Sequence, residues 1–278
     1  MRKIIIVTVY LMLTVSVVAA ADPVTESNVW TEVYPVTATT PSLYISNIWG
    51  NVRVRPGTSG QISVTIDERR SAPDQKRFER SFEMLDLDIQ ADNQGVSFKV
   101  GERSRDWGRN GACRGCRVDY QFEVLVPPGT QLDVGTIIDG RIDVAGVDGN
   151  ISASNVNGPI AVSDIRDCES LESVNGAVDL SFSMAPGQDC NIDTINGDIT
   201  ISMPSGTGLD VALDQFDGRM VSEFRVEPLA FPAQIEQTSD DGRQRYRIQQ
   251  SAGLRLEGGG PTFSISSMNG DVRIQKSQ

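Results

Sequence analysis

Between residues 137 and 201 the chain repeats one short pattern of hydrophobic and polar positions. The pattern is an aliphatic residue, Asn or Asp, Gly, any residue, and then an aliphatic–polar–aliphatic triplet, as in residues 174–180 and 195–201. Alternation after a Gly predicts a short strand in which the second and fourth residues after the Gly share one face. We expect the following pairs to face a core: Ile142/Val144, Ile151/Ala153, Ile160/Val162, Val178/Leu180, Ile199/Ile201 and Val272/Ile274.

The glycines of the pattern recur at nearly constant spacing. Successive intervals are 18, 18, 21 and 21 residues for Gly140, Gly158, Gly176, Gly197 and Gly218. Repeats of about 20 residues are typical of solenoids, in which each repeat supports only its neighbours. The sequence therefore predicts an all-β protein, a β-solenoid or β-helix-like stack of short strands.

The Asn-Gly pairs are expected to be structural turns. Asn followed by Gly tolerates positive φ, which lets the chain turn sharply, and stacked Asn side chains can form an amide ladder. An Asn and Asp row also resembles a metal or sugar site, and calcium at Asp139 and Asp148 stays open as the alternative. The residues assigned to turns are Asn157, Gly158, Asn175, Gly176, Asn196, Gly197, Asn269 and Gly270.

A more varied β-rich region, residues 22–126, precedes the repeats of residues 127–278 and is expected to be continuous with them. It contains a Cys-bearing loop and one predicted helix near residues 73–85. Asp74 is placed to serve the N-terminus of that helix. Helical spacing then puts three apolar side chains on one face: Phe78, Phe82 and Leu85.

The first 21 residues are typical of a secretory signal peptide. Arg2 and Lys3 precede an apolar run over residues 4–18, and three alanines follow at residues 19–21. An uncleaved membrane anchor is the alternative, although the run is shorter than the ~20 residues that a spanning helix needs. We expect an exported protein, either periplasmic or at the cell surface.

Four cysteines in an exported chain indicate two disulfides. Cys168 and Cys190 are 22 residues apart, close to one repeat, so they are expected to be adjacent in neighbouring repeats and to pair. Cys113 and Cys116 remain as the second pair by elimination. For that pair a local disulfide, a redox-active dithiol and half a zinc site all stay open.

Composition excludes several functions. The net charge of −12 disfavours nucleic acid and anionic lipid as partners. The chain has no histidine, which excludes Ser-His-Asp and Cys-His catalysis as well as zinc and haem sites that need histidine. No nucleophile elbow, phosphate loop or dinucleotide fingerprint is present, so we expect no cofactor and no enzyme activity.

A carbohydrate-active enzyme is the alternative function. Asp143 and Asp179 should share an outward face, where paired carboxylates could act on a glycan. Arg141 or Arg166 could bind an acidic sugar. Acidic residues on a solvated strand face are nevertheless ordinary, so the sequence assigns no catalytic residue.

Residues 118–124, 132–134 and the Asn-Gly repeats, with the ending at residues 258–274, resemble a known family. It is the bacterial β-strand-repeat family labelled "putative adhesin", a domain of unknown function. The resemblance covers most of the chain after residue 21. It implies an exported β-solenoid of envelope or surface proteins, without catalytic residues, and it says nothing about the Cys113–Cys116 loop.

We therefore expect a non-enzymatic envelope module that binds a protein or a glycan through a flat β face. A scaffolding repeat that self-associates through its end coils is a second hypothesis. A carbohydrate-active enzyme is the third.

Overall fold

The structure is a computed structural model that describes residues 23–101, 113–214, 216–230, 234–240, 243–249 and 252–277. The predicted signal peptide lies outside the described residues, as does most of the Cys-containing loop before Cys113. Within the described residues no helix is both long enough and apolar enough to cross a membrane.

The first part of the chain contains the strands β1 Val24–Pro35, β2 Ser42–Ser46, β3 Val52–Pro56 and β4 Gln61–Ala72, the helix α1 Gln75–Met84, and the strands β5 Leu87–Ala91, β6 Gly95–Val100 and β7 Arg117–Val126. Shorter strands follow in quick succession: β8 Gln131–Thr136, β9 Ile142–Ala145, β10 Ile151–Asn157, β11 Ile160–Ile165, β12 Ser170–Asn175, β13 Val178–Phe182, β14 Cys190–Asn196 and β15 Ile199–Met203. The last strands are β16 Leu209–Asp214, β17 Met220–Ser222, β18 Val226–Ala230, β19 Gln234–Asp240, β20 Arg243–Gln249, β21 Ala252–Leu256, β22 Thr262–Asn269 and β23 Val272–Lys276.

These strands form two large open sheets, so the predicted all-β class is confirmed. The first sheet has the order β1-β4-β7-β3-β9-β11-β13-β15-β23-β17, and the second has the order β18-β21-β16-β22-β14-β12-β10-β8-β2-β6-β5. β19 and β20 pair only with each other among the described strands. The sheets are mixed, because β1, β4, β5, β18 and β21 pair antiparallel, and this differs from an ideal β-solenoid.

From β8 to β15 the chain alternates between the two sheets, and every strand pairs parallel with the equivalent strand of the next repeat. We call one second-sheet strand, its corner and the following first-sheet strand a repeat. The six aliphatic pairs predicted to face inward are all buried, and each is at most 3 % exposed. The core therefore lies between the sheets and is filled by one aliphatic ladder from each.

The stacking order of the repeats differs from the sequence order. Regular spacing predicts that the Gly218 repeat follows the Gly197 repeat. Instead, β22 lies between β14 and β16, and β23 lies between β15 and β17, with parallel pairing on both sides. The repeat at residues 262–276 is thus inserted between two repeats that are consecutive in the chain.

The reason for the corner glycines also differs from the prediction. Of the four glycines assigned to turns, Gly176, Gly197 and Gly270 do not have positive φ, and Gly158 is nearly extended at 157°. A methyl group on Gly176 would overlap the carbonyl oxygen of Gly158, and the same overlap recurs in each stacked repeat. Close backbone approach between repeats, rather than a left-handed turn, therefore requires Gly here.

Helix α1 begins at Gln75, two residues later than predicted. Asp74 is its N-cap residue, and the Asp74 side chain accepts a hydrogen bond from the Arg77 backbone N–H. Phe78 and Leu85 are buried, as expected. Phe82 shares their face, with its ring centroid 5.5 Å from that of Phe78, but it is 46 % exposed. Its ring instead lies 4.1 Å from the guanidinium carbon of Arg70.

Arg70 joins the helix to the first sheet. It donates hydrogen bonds to the Ser81 carbonyl at 2.6 Å, to Glu68 at 2.6 Å and to the Tyr120 hydroxyl at 3.2 Å. The Arg70 side chain is only 4 % exposed, so its charge depends on these partners. Burial, and then the charge of Glu68, raises the pKa of Tyr120, which stays protonated in this network.

The N-terminal strands share both sheets with the repeats. β2 pairs parallel with β8, and β3 pairs parallel with β9, so residues 42–56 form a repeat of their own beneath the first regular one. β1, β4 and β7 form one end of the first sheet, where β4 pairs antiparallel with both β1 and β7. The outer face of the second sheet carries the candidate site.

Candidate binding surface

An exposed apolar stripe crosses the outer face of the second sheet. Its members occupy one register position on five adjacent strands, next to the Asn-Gly corner. The stripe consists of Ile137, Val156, Val174, Ile195 and Met268. Ile137, Val156, Ile195 and Met268 are between 37 % and 50 % exposed, and Val174 is half-buried. The repeat therefore places an aliphatic side chain outside the core at the same point of each strand.

A second row runs parallel to the stripe, two residues earlier in each strand. This acidic row contains Ser154, Glu172, Asp193, Ser266 and Asp214. Between the acidic row and the stripe lies a trough of about 400 Å³. One wall of the trough is aliphatic and the other is polar and acidic, and none of the described residues that line it is basic.

The carboxylates of the acidic row repel one another. Partial burial, and then the negative charges of Glu172 and Asp214, raises the pKa of Asp193. On the same face, burial and the charge of Glu169 raise the pKa of Asp133. Glu172 and Asp193 therefore give the trough lining a negative charge.

A buried polar row lies on the inner side of the same strands and fixes the corner. Each of five stacked repeats has a polar side chain two or three residues before the corner Asn or Asp. This side chain donates a hydrogen bond to a Gly carbonyl oxygen. The five residues are Thr136, Asn155, Ser173, Thr194 and Ser267. All five are at most 5 % exposed. Sequence reasoning missed this row, although its signal is visible as the pattern polar–aliphatic–Asn–Gly.

The Asn side chains assigned to turns form a continuous ladder along the far side of the stripe. Asn175 donates to Asn157 at 2.9 Å, Asn196 to Asn175 at 2.8 Å and Asn269 to Asn196 at 2.9 Å. Asn157 in turn donates to the Ile137 carbonyl at 3.3 Å. These amides are used within the ladder, which holds one edge of the stripe in register.

The cysteines lie away from the trough. Cys168 and Cys190 form a disulfide with a Cα–Cα distance of 5.5 Å, and Cys190 is buried at the start of β14, opposite the corner. Cys113 and Cys116 form a second disulfide with a Cα–Cα distance of 5.3 Å. Spacing predicts the first pairing. Elimination predicts the second, for which a local disulfide is one of the three open alternatives. Both Cα–Cα distances fall within the usual range of about 4.4–6.8 Å.

The residues considered for catalysis lie on the first sheet and are not brought together. Asp143 and Asp179 share a row, but Ala161 lies between them on the intervening strand. Asp143 accepts a hydrogen bond of 2.9 Å from Arg55, and Arg166 lies 3.7 Å from Asp167. Arg141 is held through its backbone N–H, which donates to Asn51 at 2.7 Å.

The acidic corners considered for calcium have protein partners. Asp148 accepts a hydrogen bond of 2.7 Å from the Gly129 backbone N–H, and Asp139 accepts one of 3.3 Å from Arg117. Within the described ranges, no three carboxylate or thiol groups are grouped as metal ligands. Both carboxylates therefore act as corner supports in this structure.

A larger groove of about 880 Å³ lies at the far end of the first sheet. Its lining is mostly polar and is bonded within the protein. Gln275 donates to Ser202 at 3.1 Å, and the Lys276 backbone N–H donates to Glu223 at 2.9 Å. The groove lacks the apolar row of the trough, so it offers less surface for a partner to bury.

By sequence, the chain matches no known protein family and no curated protein. Among solved structures it resembles a "putative cell adhesion protein" from Clostridium sporogenes, with a TM-score of 0.41 and 9% identity over 92% of this chain and 100% of that chain. It also resembles a "putative lipid binding protein" from Parabacteroides distasonis, with a TM-score of 0.25 and 12% identity over 92% of this chain and 97% of that one. These values are too low to carry fold or function over to this chain, and the comparisons place it in no family.

Proposed function

We propose that this protein is an exported, non-enzymatic binding module of the cell envelope, in which a β-solenoid of stacked repeats presents the apolar stripe to a protein partner. The observation that carries the proposal is the stripe itself. Two disulfides support export, because disulfides persist in oxidising compartments such as the periplasm and the cell exterior.

A solvent-exposed aliphatic row is unfavourable unless something covers it. The five stripe positions lie on adjacent strands, which gives a row about 19 Å long at the usual strand spacing of about 4.8 Å. Isolated exposed apolar residues are ordinary, whereas a contiguous row with a polar rim is typical of an interaction site. The neighbouring positions are mostly Ser, Asn and Asp, so the row stands out from the rest of the face.

The enzyme alternative has less support. Asp143 and Asp179 are two strands apart, which separates their backbones by about 9.6 Å, whereas the carboxyl groups of retaining glycosidases are about 5.5 Å apart. Inverting enzymes accept wider pairs but need both carboxyl groups for acid–base chemistry. The carboxylate of Asp143 is already engaged by Arg55.

Position-specific photo-crosslinking in the envelope of living cells tests the proposal. A photoreactive residue replaces Ile195 or Val156 in the stripe, or the matched outward residues Thr200 or Ala161 on the first sheet. We expect the same partner adduct from both stripe positions, none from the first sheet, and its loss when Met268 is also changed to Ser.

Equal adducts from both faces, or none from the stripe, would refute the proposal. Polysaccharide turnover that disappears in Asp143→Asn and Asp179→Asn variants would favour the enzyme instead. Adducts consisting only of a second copy of this chain would favour the scaffold.

A further inference from the structure

We infer that the trough binds a cationic amphipathic helix, a polypeptide segment of about 13 residues whose aliphatic side chains cover the stripe and whose Lys or Arg side chains face the acidic row. This inference rests on the proposed function and adds the chemistry of the partner. Its support comes from the spacing of the stripe, the charge of the trough and the mismatch with other occupants.

The spacing of the stripe favours a helix over an extended chain. Stripe side chains recur about every 4.8 Å along the stack of strands. A helix places same-face side chains three or four residues apart, a rise of about 4.5–6 Å, whereas an extended strand places them about 6.7 Å apart. A helix that follows the whole stripe of about 19 Å needs about 13 residues.

The charge of the trough favours a basic partner. Glu172 and Asp193 lie on neighbouring strands of the acidic row, and Asp214 lies two strands beyond Asp193. Across the trough from Glu172 and Asp193 lie the aliphatic side chains of Val174 and Ile195. A Lys or Arg side chain can extend its apolar stem over the stripe and bring its charge to the acidic row.

Other occupants fit less well. A second copy of this face would bring two acidic rows together, and anionic lipid or nucleic acid would be repelled by a chain of net charge −12. Sugar rings commonly bind against aromatic side chains, and none of the described residues that line the trough is aromatic. A basic polypeptide is the occupant that complements both walls.

Three synthetic helical peptides of about 14 residues serve as probes in fluorescence anisotropy with the intact mature protein. The first has a Leu face flanked by Lys, the second has the same Leu face flanked by Glu, and the third keeps Lys but has Ser in place of Leu. We expect the Lys/Leu peptide to bind at least about tenfold more tightly than either other peptide, and less tightly as salt increases.

Matched variants locate the binding. Glu172→Gln with Asp193→Asn should weaken Lys/Leu binding at least about fivefold. Glu26→Gln with Asp179→Asn removes the same charge from the first sheet and should change it less than about twofold. Ile195→Ser should weaken the binding as well. All these side chains are outward-facing, and thermal unfolding verifies that each variant is folded.

The outcomes separate the two ideas. Equal binding of the Lys/Leu and Glu/Leu peptides, both weakened by Ile195→Ser, would refute the cationic partner and leave the apolar stripe as the binding surface. Binding that both double variants weaken equally, or that Ile195→Ser leaves unchanged, would refute this site for the peptide. Failure of the Lys/Leu peptide to bind would also overturn the inference.

Discussion

The side-chain amide of Asn196 donates a hydrogen bond of 2.8 Å to Oδ1 of Asn175, which is 21 residues earlier in the chain. Asn196 also accepts one of 2.9 Å from Asn269, which is 73 residues later. One side chain thus connects three repeats, and two of its contacts are distant in sequence. The Asn ladder is therefore expected to contribute to the register of the whole stack.

Asn196→Ala removes both of these hydrogen bonds at an exposed position. We expect a loss of about 1–2 kcal/mol in the free energy of unfolding, measured by urea denaturation. Asn191→Ala is the matched control, because Asn191 is an exposed Asn of the same strand outside the ladder, and should change stability by less than about 0.5 kcal/mol. Equal effects of the two variants would show that the ladder contributes nothing specific.

Gly197→Ala should be strongly destabilising, because the added methyl group would overlap the Gly176 carbonyl oxygen of the adjacent repeat. Backbone atoms on both sides cannot move independently, so we expect a loss of about 3 kcal/mol or failure to fold. Gly187→Ala is the control, since the nearest atom to its added carbon is Asp167 Oδ1 at 3.6 Å. Calorimetry measures the transition temperatures of both variants. Equal transition temperatures would contradict the packing argument.

The two disulfides should differ in their contribution to stability. Cys168–Cys190 closes a separation of 22 residues, and Cys113–Cys116 closes one of 3. Chain entropy assigns about 3 kcal/mol to the longer loop and about 2 kcal/mol to the shorter. Paired Cys→Ala variants compared by denaturant unfolding would contradict this order if loss of Cys113–Cys116 cost more.

Arg70→Ala removes a buried cation and its hydrogen bonds to Glu68 and the Ser81 carbonyl. Glu68 then keeps the longer hydrogen bond from the Tyr120 hydroxyl, and the Ser81 carbonyl keeps the one from the Leu85 backbone N–H. We expect a loss of about 3–5 kcal/mol in the free energy of unfolding and release of helix α1 from the first sheet, visible as faster amide exchange in the helix. The neighbouring Arg69, whose side chain is 67 % exposed, provides the control. Arg69→Ala should cost less than about 0.5 kcal/mol.

Two Asp residues of the second sheet should have opposite effects on the pH dependence of stability. The pKa of Asp193 is raised by burial and by its acidic neighbours, so its ionisation on folding is unfavourable. Asp193→Asn should therefore be more stable than wild type at neutral pH. That advantage should disappear as the pH falls through the raised pKa to the ordinary Asp pKa of about 4.

Asp210 provides the opposite case, because its hydrogen bonds from Arg255 lower its pKa. Asp210→Asn should be less stable than wild type at neutral pH, and the deficit should disappear as the pH falls through that lowered pKa. Thermal melts of both variants between pH 3 and about 8 check the two signs. The same sign for both variants would contradict the assigned charge environments.

Periodic features could be predicted from the sequence, and features that depend on contact between distant segments could not. Alternation placed Ile199 and Ile201 in the core because side-chain direction in a strand has a period of two. Helical spacing likewise placed Phe82 on one face with Phe78 and Leu85, but Phe82 is 46 % exposed and its ring lies against the guanidinium of Arg70. Helical spacing does not reveal that interaction.

The candidate surface was only partly visible in the sequence. The sequence predicts an outward β face. The most regular positions of the repeat are Asn and Gly, however, and the exposed apolar residue is the one before Asn, such as Val156 or Ile195. The acidic row was hidden because the pairing register, which sets the residues that lie side by side, depends on contacts between distant segments. Glu172 and Asp193 lie on neighbouring strands, whereas the insertion of β22 places Ser266 between Asp193 and Asp214. Equal spacing in the sequence carries no information about that insertion.

The insertion of β22 and β23 has a consequence for how the molecule is assembled. Residues 190–203 and 209–222 are made consecutively, yet neither can pair with the strands that finally lie between them until residues 262–276 have been synthesised. Until then the two repeats have the same 21-residue spacing as the stacked repeats of Gly176 and Gly197, so a non-native pairing between them is available. Maturation should therefore end with a slow, long-range step in which the late strands displace that pairing and complete both sheets together.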